Sequence, residues 1–326
     1  MDFSLSTDQE ALRDGVRSFC DARLSVAELR ELEQRGVDRT LWGEYAEMGL
    51  IGLRASEEAG GVGLGMAEAV LVFEELGRCV APGPILWSHL AAALVPGVAA
   101  GETIVTGLDL RGASDAPRMV EWLELCDAIV TIHDDGVRLL STSGVQGERI
   151  ESPLDPFTPV SRVDPLPEGE LVGDADLAGQ LVSEGMTLVS ALMLGIAEAS
   201  QALATAYAAD REQFDRPVGS FQAVKHILAD CFVRQELARA ATYAAGVLLD
   251  GPHDAEVART VTAASLIAEE AAMKNARACI QVHGGMGFTW ENASHYYLKR
   301  VWVLENAFGH GATRAEELAK RIADAA

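Results

Sequence analysis

The chain has 326 residues, 49% hydrophobic and 23% charged, the balance of a folded globular protein, which excludes disorder for most of its length. At about 100 to 200 residues per domain it accommodates two or three packed units with a sizeable core. Lys and Arg total 26 against 49 Asp and Glu, and the net charge of -23 excludes generic attraction to a nucleic-acid backbone while leaving room for one anionic ligand at a local arginine.

The opening MDFSLSTDQEALRDGVRSFC places acids where an export signal needs positive charge, so it reads as a helix start. Ser6 and Thr7 precede Asp8, Gln9 and Glu10 in a capping-box-like arrangement, and Leu12, Val16 and Phe19 follow at helical spacing. Further helices are predicted over 25–35, 40–48, 66–79 and 84–96, giving an N-terminal helical domain over residues 1–100. The glycines of EEAGGVGLG at 57–65 break the pattern, and with no GKS or GKT following they read as a turn between helices rather than a phosphate loop.

From 101 to 177 short β-branched runs, TIVTGLDL, AIVTIHD, GVRLLST and ELVGD, are separated by Gly, Asp and Pro and predict a small middle β domain. The proline-rich SPLDPFTPVSRVDPLPEG predicts an extended path wrapped over a surface. Helical periodicity returns over 178–326, with helices expected near 178–210, 218–250, 254–283, 291–308 and 312–324 and a helix stop at GPHD, 251–254. Four long helices with short joins predict a bundle, so the fold class is mainly α with a reduced β domain in the middle. No run of 18 apolar residues is free of charge; the longest candidate, 186–209, carries Glu198 and reads as a buried helix. Five scattered cysteines without a CxxC pair predict neither disulfides nor zinc and point to a reducing cytoplasm.

Two stretches carry chemistry. In Tyr207–Asp230 one long helix ends at a Pro-Val-Gly turn and another begins, so Arg211 and Gln222 are expected to face each other, a guanidinium fork for a diphosphate beside a neutral amide, with Phe214 as an aromatic wall. In Gln281–Glu291 the glycines 284, 285 and 287 bare the main chain, so amides can point at phosphate or ribose oxygens; a plain helix cap is the competing reading. His226, His283 and His295 lack the spacing of a metal site and read as packing residues, with His283 near the ligand. Trp290, Tyr296 and Tyr297 read as core or pocket lining.

Together, REQFDRPVGSFQAVKH and QVHGGMGF resemble the RxQFGxPxGxFQxVxH and QxxGGxGF signatures of the acyl-CoA dehydrogenase flavoproteins, and the helical, β, helical order agrees over essentially the whole chain. The resemblance implies FAD-dependent removal of hydrogens from Cα and Cβ of an acyl-CoA thioester. It assigns Arg211, Phe214, Gln222, Gln281, Gly284 and Gly285 to the ADP half of an FAD whose flavin lies largely in a neighbouring subunit.

Three departures accompany it. In place of the family's LTEPxxGSD-like segment stands VTGLDLRGASD at 105–115, in a short β domain. The two family positions for the carboxylate base correspond to Gly309, nine residues after Arg300, and to Leu192, nineteen before Arg211. Among nearby acids, Glu184, Glu198, Glu291 and Glu305, the weak candidate base is Glu305; the rest read as surface charges or helix partners. Asp215 replaces the glycine after QF and would lower FAD affinity unless it turned toward Arg216 or met a partner's cation. The expected function is therefore an acyl-CoA dehydrogenase subunit serving a second, catalytically complete dehydrogenase chain, as α2β2. Short chains of this kind resemble those paired in bacterial breakdown of steroid side-chain or other bulky acyl-CoAs. The alternatives are a self-associating homotetramer with a relocated glutamate base, and a non-enzymatic scaffold that has lost flavin.

Overall fold

The computed structural model describes residues 4–112, 116–252 and 255–324; the ends of the VTGLDLRGASD and GPHD segments lie outside the described residues. The first helix, α1 (Thr7–Arg23), starts as its capping box dictates: Ser6 Oγ accepts from Gln9 N at 3.2 Å and Gln9 Oε1 accepts from Ser6 N at 3.0 Å. It is followed by α2 (Val26–Arg35), α3 (Arg39–Glu47), α4 (Met66–Arg78) and α5 (Ile85–Ala91). Asp38 caps α3 by accepting from the amides of Thr40 and Leu41. The last of these helices is shorter than the expected 84–96, because turns take over after Ala91.

Seven strands come next: β1 (Val105–Asp109), β2 (Arg118–Glu121), β3 (Ala128–His133), β4 (Gly136–Ser141), β5 (Gly147–Arg149), β6 (Val160–Val163) and β7 (Glu170–Gly173). They make two sheets, β1-β3-β4-β7 and β2-β6-β5, with β1 parallel to β3 and the other pairs antiparallel. The proline-rich segment is extended only in its second half and does not wrap a surface: bends and a turn fill 151–158, its centre is the middle strand β6, and Phe157 and Asp155 just before it are buried. Its prolines flank the strand, where a missing N–H breaks no ladder bond.

The helical C-terminal region comprises α6 (Ala175–Asp210), a small hairpin of β8 (Glu212–Gln213) and β9 (Arg216–Pro217), α7 (Gln222–Leu249), α8 (Ala255–His283), α9 (Ser294–Leu304) and α10 (Gly311–Asp324). Three of these helices are long; α9 has 11 residues, shorter than the expected 291–308, because a turn through Glu291 and Asn292 precedes it. Among the described residues α6 is the one helix long and apolar enough to cross a membrane, yet 83% of that stretch is buried inside the protein, the position of a core helix.

By internal contacts the chain forms two units. One joins the chain up to Val26, the segment Val70–Ala81 and the described residues from Thr187 onward; the other joins Ala27–Ala69 and Pro82–Met186. In the first, α4 and α6 touch backbone to backbone. A Cβ on Gly77 would lie 2.1 Å from the Leu192 carbonyl oxygen, and one on Gly195 would lie 1.9 Å from that of Glu74. Only glycine permits this approach.

Candidate functional site

At the end of α6 the chain turns through the β8–β9 hairpin, whose two loop residues, Phe214 and Asp215, have φ of 55° and 63°. A two-residue hairpin of this hand needs positive φ at both positions, which Asp tolerates better than most residues. Asp215 is thus a turn residue standing where a glycine would serve, and it has no ion pair among the described residues; Arg216 lies instead over the Phe221 ring at 4.0 Å. The backbone of Arg211 is fixed on both sides, its amide donating to Tyr207 O at 2.8 Å and its carbonyl accepting from Val218 N at 2.7 Å. Its guanidinium is exposed and has no partner among the described residues. Phe214 is 85% exposed, and Gln222, the first residue of α7, is exposed as well. The expected start of α7 at 218 moves to 222 because a tight 3-10 turn, Val218–Ser220, intervenes.

The second stretch lies beside the first. His283, the last residue of α8, stacks on Tyr207 of α6 with ring centroids 4.2 Å apart, and its Nδ1 donates to Cys279 O at 2.7 Å. One aromatic stack therefore joins the turn before Arg211 to the residue before Gly284. The next 3-10 turn, Gly284–Phe288, separates its glycines into two kinds. A Cβ on Gly284 or Gly285 would meet nothing within 4 Å, whereas one on Gly287 would lie 2.7 Å from the Ile280 carbonyl oxygen. Gly284 and Gly285 form an open shelf; Gly287 is a packing glycine and not part of that shelf. Arg277, Gln281, the two shelf glycines, Phe288 and Leu298 line a shallow cavity of about 350 Å³. Arg277, one turn before Gln281 and also without a partner among the described residues, was missed by sequence reading, although its i, i+4 spacing from Gln281 could have found it. Unpaired guanidinium groups, an exposed amide, open main chain and exposed Phe214 and Phe288 fit an anionic dinucleotide such as FAD.

The carboxylates divide sharply. Glu198 is gripped by Arg239 of α7 at 2.6 Å and Arg17 of α1 at 3.3 Å. Burial alone would raise its carboxyl, but the Arg239 hydrogen bond and the two arginine charges hold it below its ordinary range. Arg239 also holds Glu74 at 3.0 Å, and Tyr243 OH donates to that carboxylate at 2.6 Å. Here burial wins, and Glu74 is pushed up to about 7 against the pull of Arg239 and Tyr243. Glu184, buried in the other unit, forms a two-pronged pair with Arg54 at 2.7 Å; burial opposes ionisation, yet Arg54 keeps it below the usual range. Neither Glu198 nor Glu184 is free to act as a base. Glu305 comes directly after α9, half-buried, with no hydrogen bond or ion pair to its carboxylate among the described residues. Glu291 lies exposed in the turn before α9. Leu192 sits at the Gly77 contact with α4, and Gly309, at φ 82°, has open space where a side chain would be.

The remaining candidates are packing groups or surface groups. His226 is exposed on α7, His295 is buried against Trp290 and Tyr296, and Tyr296 is fully buried. Trp290 is 59% exposed with Lys299 Nζ 4.4 Å over its ring. Burial raises the half-buried Tyr297 phenol.

Residues 6–102 match the acyl-CoA dehydrogenase N-terminal domain and residues 177–323 the acyl-CoA dehydrogenase C-terminal domain, on either side of the β region. The chain is 32% identical to acyl-CoA dehydrogenase IpdE2 of Mycobacterium tuberculosis over 90% of this chain and 91% of that one. It is 28% identical to acyl-CoA dehydrogenase FadE34 of the same organism, over 93% of this chain but 46% of that longer protein. Among solved structures, a chain of the ChsE4-ChsE5 complex from Mycobacterium tuberculosis superposes with a TM-score of 0.87 at 25% identity, over 99% of each chain.

Proposed function

The chain belongs to the acyl-CoA dehydrogenase family of oxidoreductases acting on CH–CH groups, and from that premise we propose that it supplies the ADP-binding half of an FAD site to a different, catalytically complete acyl-CoA dehydrogenase chain, in an α2β2 assembly. The observation that carries the reading is a mismatch within one unit. Arg211, Gln222, Gln281 and the Gly284–Gly285 shelf are present and open, whereas the two places where the resemblance puts a base hold Leu192 and Gly309. Arg211 and Gln222 would hold the diphosphate, Gln281 and the shelf amides the ADP side, and Phe214 would wall it. Bound FAD would supply the acceptor for the hydride leaving Cβ of an acyl-CoA thioester. The residues of this chain bind and orient; the Cα proton goes to a carboxylate of the partner.

Likeness to a chain from a two-chain complex, and to less than half of FadE34, supports the pairing, since a single protein of that length has room for two such chains. The substrate class, a bulky acyl-CoA processed in the cytoplasm, is taken from the sequence resemblance.

The test is an absorbance scan. The chain purified alone should be colourless, and co-expressed with its partner dehydrogenase it should be yellow and reduce an electron acceptor with acyl-CoA. Arg211→Ala should release FAD from the assembled complex without unfolding it; undiminished flavin occupancy overturns the cofactor assignment. The second reading, a self-sufficient enzyme, rests on the untethered Glu305 carboxylate. A yellow, active chain on its own whose turnover collapses in Glu305→Gln would establish it instead.

A further inference from the structure

The Arg211 fork and the Gly284–Gly285 shelf lie far apart in sequence, and a pair of rings joins them. Tyr207 stands one turn before Arg211, and a helical hydrogen bond runs from Arg211 N to Tyr207 O at 2.8 Å. His283 ends α8 directly before Gly284, whose φ of 60° turns the chain out of the helix. The two rings stack with centroids 4.2 Å apart and planes 28° from parallel. Each ring is held from its own side. His283 Nδ1 donates to Cys279 O, one turn back, at 2.7 Å, so the imidazole cannot swing without giving up that bond, and the residue is 4% exposed. On the other side Arg211 O accepts from Val218 N at 2.7 Å, and a Cβ on Gly219 would lie 2.8 Å from Ala208 O, so the hairpin is pressed onto the turn that carries Tyr207. The shelf lacks such support along its length. A Cβ on Gly284 or Gly285 would meet nothing within 4 Å, and the segment is pinned at its ends, by the His283 ring before it and by Gly287 against Ile280 O after it.

We propose that Tyr207 and His283 are positioning residues: their stack sets the spacing between the Arg211 fork and the Gly284–Gly285 shelf, so that one ADP group engages both at once. The proposal rests on the half-site reading and adds to it two residues that act through others. Flat rings suit the task. Two faces in contact hold one spacing and resist sliding past each other, whereas an aliphatic pair fills the same volume in several rotamers. Spacing matters here because a guanidinium fork and main-chain amides lose strength steeply once their partner atoms move out of line. The positioning lies in the rings rather than in their polar atoms, since the imidazole N–H is taken up by Cys279 O within α8.

The test compares ring-keeping with ring-losing substitutions by FAD titration of the assembled complex, followed through flavin absorbance. His283→Phe and His283→Leu both lose the bond to Cys279 O and differ in the flat ring; Tyr207→Phe and Tyr207→Leu differ in the same way. The leucine variants should weaken FAD binding about 10-fold and the phenylalanine variants less than about 3-fold. The double leucine variant should bind no more weakly than either single one, because the stack acts as a unit. Tyr207 is half-buried and the milder site, so its pair decides if His283→Leu fails to fold. Hydrogen exchange in the isolated chain gives a reading without cofactor: the amides of Gly284, Gly285 and Met286 should exchange at least about 5-fold faster in the leucine variants while those in the middle of α8 keep their rates. Leucine variants that hold FAD as tightly as the wild type, phenylalanine variants as weak as the leucine ones, losses that multiply in the double variant, or shelf amides with unchanged exchange would each overturn the proposal. Arg211→Ala separates it from the reading beneath it: flavin lost there but kept in the leucine variants defeats the stack alone, and flavin kept in Arg211→Ala defeats the cofactor assignment and the positioning with it.

Discussion

The helices α7 and α8 are nearly equal in length, pack against each other and each border the candidate site, yet they face the outside in opposite ways. The exposed side of α8 carries Glu270, Lys274, Arg277 and Gln281, a solvent face of ordinary composition. That of α7 carries valine, leucine and phenylalanine beside the charges of Lys225, Asp230 and Glu236, while Arg234 and Arg239 turn inward to Asn275, Glu74 and Glu198. The difference teaches that burial within one chain does not define a helix's interior side. The outer flank of α7 is the more apolar of the two.

Breaking the inward sides should cost most. Asn275 is fully buried on α8, and its Nδ2 donates to Ala197 O of α6 and Cys231 O of α7, at 3.2 and 3.0 Å. Asn275→Leu leaves both carbonyls and Arg234 without their amide and is expected to destabilise the unit by about 3 kcal/mol, read as a fall in melting temperature. Glu74→Gln tests the inward charge of α7 through pH. The folded Glu74 pKa of about 7 lies above its ordinary value, so the folded state binds this proton more tightly and stability falls as pH rises from about 4.5 through 7. Melting curves of the glutamine variant should lose that slope, by an amount on the order of 2–3 kcal/mol across the window. The opposite trend below it, where Glu184 and Glu198 lose their ionised, arginine-paired form, should remain.

Smaller effects sharpen the contrast at the end of α8. Gly287→Ala forces a Cβ against the Ile280 carbonyl and should cost about 1–3 kcal/mol, while Gly285→Ala should change stability by less than about 0.5 kcal/mol yet lower flavin retention in the complex. The smallest is Lys274→Ala on the outer face, which removes an i, i+4 pair with Glu270 and should cost about 0.3–0.5 kcal/mol in a thermal melt.

Local signals made much of this legible. Ser6 and Gln9 announced the first helix, and β-branched runs between turn residues announced the sheets. The pair of motif stretches carried the residues proposed for the cofactor, because a guanidinium and bare glycines are properties of single positions. The features that stayed hidden depend on distance along the chain. Glu198 is locked by Arg17, 181 residues away, and by Arg239, 41 away, and no local pattern records either. The three glycines of GGMG look alike in sequence, and only the Ile280 carbonyl separates Gly287 from its neighbours. The periodicity of α7 reads as a bundle helix, but a period cannot say whose side chains cover which flank.

The glycine contacts of α4 with α6 have a consequence for how the molecule is made. The segment Val70–Ala81 belongs to the unit completed by Thr187 and the residues after it, yet it leaves the ribosome before the whole of Pro82–Met186, which belongs to the other unit. The segments of the two units therefore alternate in order of synthesis. A protein truncated after Met186 would lack the α6 backbone that Gly77 touches, and because each unit is drawn from separated stretches of the chain, neither can be cut free by a single cleavage.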